Sequence, residues 1–417
     1  MRTVISLRET IGVDPFGLYD ELRQAGEVVW DDGMHAWVVT TYGACKELER
    51  DEARFRQPYG DMQSDTFVRL EGGRRAIQLL HGADHTSLHR WWLRAFGPRA
   101  AEEWRATVVR PIATVELDRI APGGRGDLAQ LADRIPVRVI ARLLGLPWDD
   151  EDWIAHCKDL LHEIVLFLDL YGVDADGADP EVRRSALAAS DALVDLLEPF
   201  IDSRRDGTDD DLVSRLWRDG PGILDGWDDE DMRANVRQMF FAGSDTTNHA
   251  IANALYLLMT RPSLAERLRA ERALVPAFVE EVLRVLGSVH FRPRAANVDT
   301  VLAGTRIGRG DMLVAVNAAA NVDPAKYGCP FDVDLGRPAP RDHLAFSFGR
   351  RTCVGAALAR VELAEVVDAV LDRLEDLRPL PGAPPPPLTG FQLRSFRPLD
   401  AVWSESGRGT PALERGG

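Results

Sequence analysis

Apolar residues recur at three- and four-residue spacing over most of this chain, the mark of helices with one buried face. The pattern predicts helices over 15–28, 43–51, 85–95, 100–120, 127–143, 150–170, 181–205 and 209–217, and again over 263–270, 275–286 and 354–374. The longest runs from Asp229 to Thr260. It opens on Asp228, Asp229 and Glu230, acidic residues that suit a positive helix end, and stops before Pro262. At 1.5 Å per residue it is about 45 Å long, so it must pass through the core. Strand signals are fewer. Val28-Val29-Trp30 and Trp37-Val38-Val39-Thr40 flank an Asp-Asp-Gly turn and predict a hairpin. Val301–Val314 reads as short strands around Gly304, Gly308 and Gly310, and 389–403 as one more hairpin. Pro379–Pro387 is a stiff proline-rich loop, and 404–417 is expected to be a disordered tail. No repeat or linker divides the rest. The expectation is one domain over 1–403, mainly α with small β-sheets.

Composition narrows the function. With 417 residues, 45% hydrophobic and 28% charged, the chain reads as an ordinary globular protein and not as a disordered or disulfide-scaffold one. A formal charge of −16 disfavours a nucleic-acid binder, which needs a basic footprint. No apolar run approaches the roughly 18 residues of a membrane span. The scattered charges of residues 1–22 exclude a signal peptide. A cytoplasmic monomer is expected. Lys46, Lys158 and Lys326 are the only lysines, so nearly all positive charge is guanidinium.

The four cysteines, Cys45, Cys157, Cys329 and Cys353, show no paired spacing for zinc. His81, His85 and His89 stand four apart, but Gly82-Ala83-Asp84 reads as a helix start, with Asp84 or Thr86 near the cap. His81 then precedes the helix, and two imidazoles on a face make a poor metal site.

Cys353 is different. It lies in Phe346-Ser347-Phe348-Gly349-Arg350-Arg351-Thr352-Cys353-Val354-Gly355, glycine-bounded and opening a helix whose free N–H groups favour a thiolate. Such a thiolate is a nucleophile, a single-cysteine metal ligand or a packed thiol. A second segment, Phe240-Phe241-Ala242-Gly243-Ser244-Asp245-Thr246-Thr247, puts poor helix formers in the middle of the longest helix. Thr246 can bond back to the Ala242 carbonyl, so a local break is expected. An acid beside a hydroxyl suits a proton relay; a packing notch is the plainer reading. Glu281 and Arg284 share a helix face and can pair.

Together these segments resemble the cytochrome P450 family of haem-thiolate monooxygenases, from about Asp14 to Val402. Phe346, Gly349, Cys353 and Gly355 match its haem loop. Ala242, Gly243, Asp245 and Thr246 match its oxygen-activating motif, and Glu281 with Arg284 its Glu-x-x-Arg. Two positions depart: Ser347 stands where a glycine is usual, and His85-Thr86-Ser87-Leu88-His89 where His-x-x-x-Arg is usual.

The resemblance implies a long central helix over a buried haem b, with Cys353 as the iron ligand. Its thiolate would push electron density toward O–O cleavage. Arg294, Arg351 and His85 would meet the propionates, with His89 or Arg90 in place of the usual arginine. Glu281 and Arg284 would be structural, joined by Arg337 or Arg341. Thr246 would donate to dioxygen, and Asp245 would bring protons from solvent. Gln238, Phe241, Val289, His290, Phe291 and Phe396 would line the pocket, with segments 58–80 and 163–180 as variable substrate loops. The substrate is expected to be a small or medium apolar molecule with one polar handle, hydroxylated or demethylated with O2. Lacking a flavin or iron–sulfur motif, the chain would take electrons from a ferredoxin and its reductase, docked near Arg90, Arg94, Arg350 and Arg351. A haem-thiolate sensor without turnover would leave Asp245-Thr246 unused.

Overall fold

The computed structural model describes residues 6–59, 65–172 and 177–405. The central helix, Asp229–Thr260, occupies the predicted span and is capped by Asp228 and Asp231, each accepting from the other's backbone N–H. Its buried residues include Met232, Val236, Phe240, Ala250, Leu255 and Leu258. They ring its whole circumference, as expected of a helix in the core rather than on it. It packs against Leu128–Leu144, the facing helix, and Ala356–Arg373, which follows Cys353.

The expected break is not there: the central helix is continuous through Ser244–Thr247. Ser244 Oγ donates to the Phe240 carbonyl at 2.7 Å and Thr246 Oγ1 to that of Ala242 at 2.9 Å. These hydroxyls bond within the helix instead of competing with it. Gly243 supplies the packing notch, since a Cβ there would meet Ile140 Cγ1 of the facing helix at 2.9 Å.

A five-stranded sheet forms the second layer, in the order Val28–Asp31, Ala36–Val39, Met312–Ala315, Arg292–Ala296, Phe55–Arg56. The predicted hairpin is its edge, with Val29 opposite Val38. Arg294 lies opposite Leu313, so a guanidinium rides on a rigid strand. Thr300–Leu302 and Thr305–Ile307 form their own small hairpin. The C-terminal region is more than one hairpin. Leu388–Gly390 pairs with Arg394–Phe396, while Asp400–Glu405 joins Leu374–Pro379 and Arg125–Asp127 in another sheet. Residues 404 and 405 are therefore strand; the rest of the expected tail, like 60–64 and 173–176 of the two variable loops, lies outside the described residues. The region 100–120 is two helices, Pro98–Trp104 and Arg110–Ile120, joined by a wider turn. Among the described residues no helix is long and apolar enough to cross a membrane.

Candidate active site

The cysteine loop is held by backbone geometry. Ser347 adopts φ +61° and Gly349 φ +84°, both left-handed. A Cβ on Gly349 would come within 3.0 Å of Arg50 Cα, so glycine lets the loop rest on helix Tyr42–Arg50. Ser347 pays the steric cost that the usual glycine avoids, and its buried Oγ has no partner. The Cys353 N–H donates to the Phe346 carbonyl at 2.9 Å. The helix begins at Ala356, later than predicted, so Cys353 lies one turn before it. Burial pushes the Cys353 thiol up, against the Gly355 N–H, Arg292 and Arg360, which favour the thiolate. The free helix end alone does not ionise it; a coordinated cation would.

Cys353 lines a cavity of about 320 Å³. Phe346, Ser347, Val354, Gly355 and Leu358 line it from the cysteine loop and the helix after it, and Phe241, Ala242, Gly243, Thr246 and Thr247 from the central helix; Gly349 does not reach it. Asp245 does not line it. Its carboxylate faces the outer side of the helix, where Asn248 Nδ2 donates to it at 3.1 Å and His249 Nε2 stands at 3.5 Å. Burial alone would raise Asp245, but His249, Arg397 and Asn248 outweigh it and hold the carboxyl below its usual range. His249 Nδ1 and Ser395 Oγ share a 2.8 Å hydrogen bond, and Arg397 ties Ser395, Asn248 and Asp133 together.

The rim carries positive charge. His85, His89, Arg292, Arg294 and Arg351 all reach the cavity. Arg294 is buried and donates to Gln57 Oε1 at 2.9 Å and to the Pro293 carbonyl at 2.8 Å. Arg351 pairs with Glu52 at 2.5 Å and donates to the Leu80 carbonyl. The helix Gly82–Ala95 starts one turn earlier than predicted, with His81 as its cap. His89 Nε2 donates to the Thr352 carbonyl at 2.8 Å, clamping this helix to the cysteine loop, while Arg90 points to solvent. Burial, reinforced by Arg351, pushes His85 down to about 3, and burial also lowers His89. His85 is therefore a neutral imidazole near pH 7. Among the described residues no metal-binding cluster of His, Cys, Asp and Glu forms, so the histidine triplet holds no zinc site there.

Three of the six expected substrate residues, Gln238, Phe241 and Val289, line the cavity; three do not. His290 is buried on the far side, bonded through Nδ1 to Tyr19 Oη at 2.9 Å. Phe291 packs on Phe391, and Phe396 stacks on Tyr256. Packing with these partners turns all three away. In their place Ser288, Gln392 and Leu393 line it, with Tyr59 and Glu71 from the first variable loop. Tyr59 and Glu71 fall within 58–80, expected as a substrate loop; no periodicity marked Ser288, Gln392 and Leu393, which lie on irregular segments. Behind the site Arg284 donates to both oxygens of buried Glu281 at 2.8 and 2.9 Å. The third member is Arg337, at 2.9 Å; Arg341 goes to Glu280 instead.

These residues fit haem b. A half-buried thiol lines a largely apolar cavity, and five cationic or imidazole groups line the same cavity, suited to carboxylates.

Comparison with known proteins agrees. The family model described as Cytochrome P450 matches residues 151–395. The mycinamicin IV hydroxylase/epoxidase of Micromonospora griseorubida is 33% identical over 402 residues, covering 94% of this chain and 96% of that protein. The vitamin D3 dihydroxylase of Streptomyces griseolus is 31% identical over 83% of this chain and 82% of its own. CYP109E1 from Bacillus megaterium, solved in complex with testosterone, has a TM-score of 0.82 at 25% identity, covering 96% of this chain and 100% of that one. With a third of its residues shared along nearly its whole length, the chain belongs to the cytochrome P450 family, the haem b monooxygenases.

Proposed function

We propose that Cys353 is the iron ligand and that Asp245 and Thr246 deliver the protons for inserting one oxygen atom into a small or medium apolar substrate. The overall stoichiometry consumes O2, two electrons and two protons, and yields hydroxylated substrate and water. Bound haem supplies the activation of dioxygen. The chain supplies the rest. The observation that carries the reading is that Cys353 and Thr246, from the cysteine loop and the central helix, line one cavity. Thr246 Oγ1 donates to the Ala242 carbonyl, which leaves its lone pairs free to accept from, and so position, a proton-carrying group in the cavity. Asp245, turned outward to His249 and Ser395, gathers protons from the solvent side. Arg292, Arg294, Arg351, His85 and His89 would hold the two propionates by charge-assisted hydrogen bonds. Gln238, Phe241 and Val289 would contact substrate. The two relatives are named for oxidising mycinamicin IV and vitamin D3, which supports an organic small-molecule substrate here. Electrons would come from a ferredoxin docked on the exposed Arg90, Arg94 and Arg350, which flank the cysteine loop.

The test is coupling. Thr246→Ala should keep electron consumption while diverting most of it from product to hydrogen peroxide. Unchanged product per electron would remove Thr246 from the proton path.

A further inference from the structure

Two carboxyl groups line the cavity, Glu362 on the helix that follows Cys353 and Glu71 on another segment, and the second has no use in oxygen chemistry. Glu71 follows helix Asp65–Leu70, is 6% exposed, and lines the same cavity as Thr246. Its direct polar partner is Gln238 of the central helix; with the amide assigned so that its nitrogen faces Glu71, the orientation that satisfies both groups, it donates to Oε2 at 2.5 Å and to the Glu71 carbonyl at 3.2 Å. Among the described residues Glu71 has no ion pair. Arg237, the nearest cation acting on it, is buried outside the cavity lining, with Nε and one terminal nitrogen unpartnered. Burial raises the Glu71 carboxyl to about 7, against Arg237 and Gln238. In turn Tyr59, raised first by burial, is raised further by Glu71. A buried carboxylate without a cation is costly, and here the side open to a partner is the substrate space.

Its position also sets a length. Gln238 lies eight residues before Thr246, on roughly the same helix face, which is about 12 Å along the axis.

We propose that Glu71, oriented by Gln238, is a substrate anchor that binds a protonated nitrogen at one end of an elongated apolar molecule and presents carbon about 12 Å away to Thr246. The inference rests on reading this cavity as the substrate pocket. The three arginines on its lining, Arg292, Arg294 and Arg351, are the ones assigned to the propionates, and Glu362 lies on the helix that follows Cys353, so Glu71 is the charged group beside Gln238 that is left to select a ligand.

Twelve-carbon probes test it without turnover. The haem-loaded enzyme is titrated with dodecylguanidinium, dodecanol and dodecanoate, following the Soret spin shift. Guanidinium matches a carboxylate with two parallel bonds. Wild type should bind dodecylguanidinium roughly 10-fold or more tightly than dodecanol, the worth of one charge-assisted bond, and dodecanoate least. Glu71→Gln should erase that preference while leaving dodecanol affinity nearly unchanged, and Glu71→Asp should restore part of it. Equal preference in wild type and Glu71→Gln, or none in wild type, overturns the anchor; if dodecanol still shifts the band, the pocket reading survives. If no probe shifts it, anchor and pocket reading fall together. Should Glu71→Gln fold poorly, the three wild-type affinities alone decide the matter.

Discussion

Ser347 shows how much a single backbone angle decides in the cysteine loop. Its φ of +61° is the conformation that L-residues avoid and glycine accepts. Ser347→Gly relieves a steric cost of about 1–2 kcal/mol and adds unfolded-chain entropy of about 0.4–1 kcal/mol in opposition. The expected outcome is a gain of about 0.5–1 kcal/mol, read from urea unfolding of the haem-loaded protein, with the thiolate-type carbon monoxide spectrum kept. A loss of stability would mean that the Ser347 hydroxyl has a role its unpartnered position does not reveal. The same scale divides what sequence could and could not reveal. Cys353 and Thr246 were legible because their chemistry comes in ordered motifs. Glu71 was not, since a lone acid on an irregular loop has no period. His290 misled: its side is decided by Tyr19, 271 residues away in sequence.

The central helix was legible in length and in both ends, because caps and proline act locally. Its continuity was not. Intrinsic propensity argued for a break over Gly243–Thr247, and tertiary packing with two back-bonding hydroxyls overrode it. Similarly, Leu374–Pro379 was missed as a strand because its pairing with Asp400–Glu405 is non-local. The notch at Gly243 makes a testable coupling between two elements. Gly243→Ala gains up to about 1 kcal/mol of helix propensity but forces a methyl to within 2.9 Å of Ile140 Cγ1, an overpacking cost of about 1–3 kcal/mol. The single variant should lose stability. In an Ile140→Ala background, which removes Cγ1 and Cδ1 and leaves only Cβ at 3.2 Å, the propensity gain should outweigh the remaining contact and the same Gly243→Ala change should gain it. A change of the same sign in both backgrounds would show that Ile140 is not what requires the glycine.

Charge acts at the scale of the whole molecule, and there the formal −16 conflicts with docking of the proposed ferredoxin if that donor is acidic. The conflict is resolved by distance. At physiological salt, charges more than about 8 Å apart are largely screened, so docking depends on the local face. Around the cysteine loop that face carries the exposed Arg90, Arg94 and Arg350, with part-exposed Leu93 beside them. His89 binds the helix bearing Arg90 and Arg94 to the Thr352 carbonyl, which keeps the cations beside the loop of Cys353. Reversing Arg90 and Arg94 together to Glu changes the local charge by four without touching the cavity lining. At low salt, ferredoxin-driven reduction should slow roughly tenfold or more, within the range of electrostatic steering. Added salt should slow wild type and narrow the gap to the variant, because screening removes attraction in one and repulsion in the other. Dodecanol binding and the carbon monoxide spectrum should not move, since both report on the other side of the loop. If reduction by ferredoxin is as fast in the variant as in wild type at low salt, electrons enter by another face, and the net charge would then need a different answer.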